Sequence, residues 1–201
     1  MEFEFTPEQR EKLDIYHRLL LKWQKSINLV SPKTLQDAWQ RHFIDSVQLS
    51  PLIRKEGDVT SLVDVGSGAG FPGMVLAILH PDIQVTMIES DQRKSIFLQN
   101  VSRETSTPVT ILNERIEAPR ELIRADIMTA RALASLSELC AYSVPFYAVN
   151  PDLVCYFPKG QFAQSEHEDA HEKYSYHIDF IDSYTDKNAK IIRLSHLTPK
   201  K

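Results

Sequence analysis

Apolar residues recur with two different periods along this chain, and the change of period divides it. From Leu13 onward, Tyr16, Leu20, Trp23 and Ile27 follow at three- and four-residue spacing, the stripe of an amphipathic helix. Thr6-Pro7-Glu8-Gln9 supplies its start, with Thr6 as N-cap, Pro7 at the first helical position and Gln9 closing a capping box. Ser31-Pro32 restarts a helical stretch expected to run to about Leu49. Within it Arg41 and Asp45 stand four apart on one face and read as a surface ion pair of small energetic value. Beyond Asp58 the pattern becomes short apolar runs alternating with helical segments.

The runs predict strands over Leu62–Val65, Gln84–Glu89, Val109–Leu112, Asp126–Ala130 and Asp152–Phe157. The segments between them predict helices over Pro72–Leu79, Asp91–Glu104, Pro119–Ile123, Leu136–Ala148 and Gln164–Lys173. Two strands, Tyr176–Tyr184 and Lys190–Leu197, joined around Asp186-Lys187-Asn188, close the chain. Regular alternation implies parallel strands with right-handed crossovers, an α/β fold. Residues 1–58 are expected to be a helical N-terminal extension packed on a core domain of residues 59–201.

The first strand runs straight into Gly66-Ser67-Gly68-Ala69-Gly70-Phe71-Pro72-Gly73. Strand, glycine turn and helix start form a nucleotide-binding arrangement, because a backbone without Cβ atoms admits a ligand and the helix offers unpaired N–H groups. Gly68 to Gly73 fits G-x-G-x-x-G, the dinucleotide fingerprint. In that fingerprint the first glycine follows the strand directly, and here Gly66 does so. Gly66-x-Gly68-x-Gly70, with Asp64 just before it, looks instead like the loop of S-adenosylmethionine (SAM) methyltransferases. The closing hairpin suits the same class: a class I SAM-dependent methyltransferase, Rossmann-like, with seven strands of which the last is antiparallel.

Ligands of open α/β sheets bind beyond the carboxyl ends of the strands. The residues there are Gly66 to Gly73, Glu89-Ser90, Asn113 to Glu117, Arg131 and Pro158-Lys159-Gly160. Glu89 stands where an acid can accept both ribose hydroxyls. Ile116-Glu117 either frames an adenine or simply begins a helix. Arg93-Lys94, Arg115, Arg131 and Lys159 place cations on this rim, which suits phosphates and makes RNA or DNA the candidate partner. The net charge of −4, from 23 Lys and Arg against 27 Asp and Glu, means that any such patch is local.

Other features narrow the field. No apolar run approaches the ~20 residues that span a bilayer, and Met1 to Phe5 lacks a basic, then apolar, signal pattern, so a cytoplasmic protein without membrane contact is expected. Cys140 and Cys155 form no metal or disulfide pattern. His167-Glu168-Asp169-Ala170-His171 matches H-E-x-x-H, but its surroundings are polar nearly all round, so a solvated helix is expected rather than a zinc site.

A closer resemblance rests on Asn28-Leu29, Arg41-His42-Phe43-Ile44-Asp45-Ser46, Asp64 through Gly73 with its Phe-Pro-Gly ending, Arg115-Ile116-Glu117, Arg131-Ala132-Leu133-Ala134-Ser135-Leu136 and Lys159-Gly160. In these the chain resembles the bacterial ribosomal RNA small-subunit methyltransferase G family, also called the glucose-inhibited division protein B family. The resemblance implies methylation of N7 of a guanine in the decoding-region loop of 16S RNA, with SAM as co-substrate, no metal, and 16S RNA or the small-subunit particle, not DNA, as partner of a monomer. It implies SAM contacts at Gly66, Phe71, Ile116, Glu117 and Arg131, to which the glycine loop and the end of the second strand add Gly68, Gly70 and Glu89. RNA contacts are implied at Arg93, Lys94, Arg115, Arg131 and Lys159. Glu89 departs from the more usual aspartate and is expected still to reach a ribose. An N7 acceptor carries no proton, so no general base is required. Consistently, no Asn-Pro-Pro-Tyr-like motif follows the fourth strand and neither cysteine follows a proline.

Overall fold

A computed structural model describes residues 3–118 and 120–200. Seven strands, β1 (Ser61–Val65), β2 (Gln84–Ile88), β3 (Thr110–Leu112), β4 (Ile127–Thr129), β5 (Val154–Lys159), β6 (Tyr174–Asp182) and β7 (Lys190–Pro199), form one sheet in the order β3-β2-β1-β4-β5-β7-β6. The first five are parallel, and β7 runs antiparallel to both β5 and β6. This is the class I methyltransferase sheet expected from the alternation of elements.

Period-two alternation in the central strands separates two cores. Leu62, Ile127, Val154 and Tyr156 face one apolar cluster, and Val63, Val65, Met128, Cys155 and Phe157 face the other. The first cluster is completed by α1 (Pro7–Trp23), α5 (Gly73–Leu79) and α6 (Gln92–Glu104), the second by α7 (Leu136–Val149) and α8 (Ala163–Lys173). The Thr6–Gln9 capping box of α1 forms reciprocally, and Leu13, Tyr16 and Leu20 are fully buried. At about 1.5–3 kcal/mol for each such side chain, burial far outweighs propensity in fixing this helix.

Three expectations change. The stretch after Ser31 is not one helix but α2 (Pro32–Leu35), a π-helical turn over Trp39–Ile44, α3 (Asp45–Val47) and α4 (Ser50–Arg54). The wider π winding removes the four-residue alignment of Arg41 with Asp45, so they do not pair. Arg41 meets Asp186 at 3.7 Å instead, and Asp45 meets Arg131 at 3.1 Å. Residues 120–123 form bends and irregular chain rather than a helix, with too few apolar positions to bury one turn, while Pro119 lies outside the described residues. Pro72 caps α5 from the preceding position rather than opening it.

Candidate active site

The glycine loop divides its glycines between two tasks. A Cβ built on Gly68, whose φ is +56°, meets nothing within 4 Å except the Gly66 carbonyl oxygen at 3.8 Å, so its open side faces the cavity above the loop. Gly70, at φ +95°, faces the other way: a Cβ there falls 2.5 Å from the Tyr16 hydroxyl and 2.9 Å from Leu98 Cδ2. Gly70 is thus a packing residue against α1, whose Tyr16 hydroxyl donates to the Ala69 carbonyl. Glu89 ties the loop from below, with one carboxylate oxygen accepting from Gly68 N and the other from Asp91 N, both at 2.7 Å. Each oxygen keeps further lone-pair capacity. Under the loop, Asp64 is fully buried and accepts from the Thr129 hydroxyl at 2.7 Å. Burial pushes its carboxyl up to about 6, against hydrogen bonds from Thr129, Ser67 and the Gly73 backbone and the charge of Arg131.

Across the cavity Arg131 is held by three fixed groups. Its Nη1 donates to the Arg41 carbonyl at 3.0 Å and to Asp45 Oδ2 at 3.1 Å, and its Nη2 meets His42 Nδ1 at 2.8 Å. A guanidinium only donates, so Nδ1 of His42 accepts and Nε2–H donates to Thr34 Oγ1 at 2.9 Å. Burial, then the charges of Arg131 and Arg41, push the His42 imidazole down to about 4. Asp45 is fixed in turn by Gln48 and by Thr185 of the β6–β7 connection. The guanidinium carbon lies 5.2 Å from the centre of the Phe71 ring, on which His42 also stacks. Among the described residues this leaves the Nε–H and one Nη2–H of Arg131 without a partner, a two-pronged donor in the cavity wall.

A cavity of about 1170 Å³ joins these parts, at the upper end of ordinary ligand sites. Gly66, Gly68, Phe71, Glu89, Lys94, Arg131 and Lys159 line it, as do His42, Asp45 and Leu133. Gly70, Arg93, Arg115, Ile116 and Glu117 do not. Ile116 packs on the second core, and Glu117 is exposed and accepts from the Tyr142 hydroxyl at 3.3 Å. Arg93 is exposed beside Asp91 and Arg115 is exposed on the β3–β4 connection. Lys159 is engaged within the protein. Its side chain is 9% exposed, and its ammonium donates to the Ala134 carbonyl at 2.6 Å and to Glu166 at 2.7 Å. In this arrangement Lys159 ties β5 to α8 and to the β4–α7 connection.

Comparison with known proteins agrees with this architecture. A family model described as rRNA small subunit methyltransferase G matches residues 9–194. The chain belongs to that family. A protein described as ribosomal RNA small subunit methyltransferase G from Paramagnetospirillum magneticum is 44% identical over 192 residues, covering 95% of this chain and 90% of that one. Another of the same description, from Rhodospirillum centenum, is 43% identical over 198 residues, covering 98% and 89%. Among solved structures, a magnesium protoporphyrin IX methyltransferase from Synechocystis with bound SAM superposes with TM-score 0.61 at 10% identity, covering 96% of this chain and 100% of that one. A fibrillarin/Nop5p complex gives TM-score 0.56 at 9% identity over 77% and 83%. At such identities these structures share the fold alone, a class I SAM methyltransferase fold.

In this member of the methyltransferase G family, sequence reasoning gave no place in the site to His42, Asp45, Thr34 or Glu166. The signal existed in Arg41-His42-Phe43-Ile44-Asp45, but reading it with α-helical spacing paired Asp45 with the wrong arginine. The H-E-x-x-H segment lies on α8, where His167 Nδ1 is bonded to the Tyr176 hydroxyl at 3.0 Å and His171 is exposed. Among the described residues no three His, Cys, Asp or Glu side chains converge as a metal-binding set. Among them, too, no helix is long and apolar enough to cross a membrane.

Proposed function

We propose that the protein methylates N7 of a guanine in the decoding-region loop of 16S RNA, with SAM as the methyl donor and no metal. Family membership supports the ribosomal RNA substrate class. The observation that supports the choice of atom is that each carboxylate and imidazole lining the cavity already has a hydrogen-bond donor or a cation beside it. The His42 lone pair receives Arg131, Asp45 accepts from Arg131 and Thr185, Glu89 accepts from two backbone N–H groups, Glu166 accepts from Lys159 and Leu136 N, and Asp186 faces Arg41. None of them is an unpartnered base of the kind that transfer to an amine or a hydroxyl calls for. Guanine N7 has an in-plane lone pair and no proton to lose, so it matches such a site.

The open side of Gly68 and the carboxylate of Glu89 fit the donor: Gly66, Gly68 and Phe71 would form its floor and Glu89 would accept its ribose hydroxyls. Gly70 would act through the shape of the loop. Ile116 and Glu117, on the β3 side of Glu89, would flank its adenine. Bound SAM supplies an electrophilic methyl group on a cationic sulfur. The N7 lone pair takes that methyl as the carbon–sulfur pair returns to sulfur, and the positive charge passes to the base. The protein's part is then placement in line, an effect worth about 7–11 kcal/mol at best. The unpaired prongs of Arg131 hold ligand oxygens beside the reacting centre, and Arg93, Lys94 and Arg115 meet RNA phosphates. The test is methyl transfer from labelled SAM to small-subunit particles lacking the modification, run with excess chelator and followed by nucleoside analysis. 7-Methylguanosine is expected; a methylated amine or ribose, or dependence on metal, contradicts the reading.

A further inference from the structure

We propose that Phe162 is a stacking platform for a nucleobase beside the methylated guanine, held in register with the cavity mouth by the Lys159–Glu166 bridge. The inference rests on the RNA methyltransferase reading above and adds a recognition element to it. Phe162 is 65% exposed, more than any other large apolar side chain among the described residues. It follows Gly160, which lines the cavity, beyond the carboxyl end of β5, and it caps α8.

The ring does not ride on a loose loop. Its carbonyl accepts from Glu166 N and from the Ser165 hydroxyl, both at 3.0 Å. Glu166 in turn accepts from Leu136 N at 2.8 Å and from Lys159, which also donates to the Ala134 carbonyl. The first turn of α8 is therefore locked to the β4–α7 connection, which carries Arg131 and Leu133. Leu133 is 37% exposed and lies against Gly66: a Cβ built there falls 2.5 Å from its Cδ1. Two exposed apolar side chains, Leu133 in the cavity lining and Phe162 at the N-cap of α8, are thus carried on segments joined by the Lys159–Glu166 bridge.

Charge decides what occupies the ring. The protein carries a net −4, and the rim cations Arg41, Arg131 and Lys159 are paired with Asp186, Asp45 and Glu166, which leaves Lys94 in the cavity lining and the exposed Arg93 and Arg115 for phosphates. Phosphate pairing by so few cations supplies only part of the grip on a polyanion. A base that receives a methyl group must leave its stack, and its neighbour then loses a stacking partner. Single-stranded RNA is gripped by aromatic faces that replace such partners.

The experiment compares the wild type with Phe162→Ala and Phe162→Trp on unmethylated small-subunit particles. Phe162→Ala should weaken particle binding about tenfold, as for loss of one stacked base. It should raise KM with kcat little changed, and keep both SAM affinity and the salt slope, because stacking releases no counterions. Phe162→Trp should restore binding, and its fluorescence should be quenched by RNA beyond the change seen from Trp23 and Trp39 in the wild type. Wild-type particle binding and KM in Phe162→Ala, the result expected if the ring serves a protein partner, would overturn the proposal. So would a changed salt slope in Phe162→Ala, or no added quenching in Phe162→Trp. A wild type that neither binds nor methylates the particle would overturn the underlying reading as well.

Discussion

Arg131 shows how much a single side chain depends on where its neighbours are anchored. Three of its five N–H groups are spent on Arg41, His42 and Asp45, all in the N-terminal segment, so the orientation of the other two is set before any ligand arrives. Arg131→Ala should lose methylation by two orders of magnitude or more, about 3 kcal/mol. Arg131→Lys, a point charge without the planar fork, should recover only a small part of it. Near-wild-type single-turnover rates in either variant would refute this role. Lys159→Ala should act differently, lowering stability by about 1.5–3 kcal/mol through loss of its charged hydrogen bonds. The slope of RNA affinity against salt should stay unchanged, as measured by denaturation and titration.

The buried titrating pair gives opposite pH signatures. His42 is depressed to about 4, so its stabilising effect is complete above its ordinary value of about 6.5 and is lost as pH falls toward 4. Asp64 is raised to about 6, so its effect is present below an ordinary carboxylate value and is lost as pH rises through 6. Denaturation between about pH 4 and 7 should show that His42→Gln removes the acid-side loss and Asp64→Asn removes the loss on the neutral side. Unchanged slopes in both variants would contradict these assignments.

At the scale of elements, the glycine loop joins the N-terminal helix to the sheet and opens toward the cavity at once. Gly70→Ala drives a methyl group into Tyr16 and Leu98 at a positive φ, and should cost about 2–4 kcal/mol of stability. Gly68→Val meets open space, and should cost only about 1–2 kcal/mol for its left-handed backbone while abolishing SAM binding in calorimetry. If Gly68→Val is the less stable of the two, the division of labour is wrong. Much of this was legible from residues alone. The strands declared themselves because burial on both faces demands apolar runs, and Asp64 to Gly73 declared a ligand loop because of where its glycines fall after β1. The segment from Trp39 to Ile44 was not legible, since a π turn is chosen by the contacts of His42 and Phe43 rather than by a local period. The pairing of Lys159 was not legible, because its partner Glu166 arrives from a separate helix, which strand-end position does not reveal.

The whole molecule sets a net acidic surface around a cavity whose few ionic groups are nearly all paired within the protein. On the function proposed above, such a site would select its substrate by shape, by stacking and by the placement of one nucleophilic lone pair, with no proton taken up or released. Residues 1–58 belong to that design, since α1 buttresses Gly70, and the π turn with the first residue of α3 supplies the three contacts that aim Arg131. The most direct test is mass mapping of methylated nucleotides in 16S RNA from cells with and without this protein. The account predicts one difference, a methyl group on N7 of a single guanine in the decoding-region loop, present only with the protein. An identical methylation pattern in the two RNAs, or a difference located on a ribose, an exocyclic amine or a pyrimidine, would contradict it.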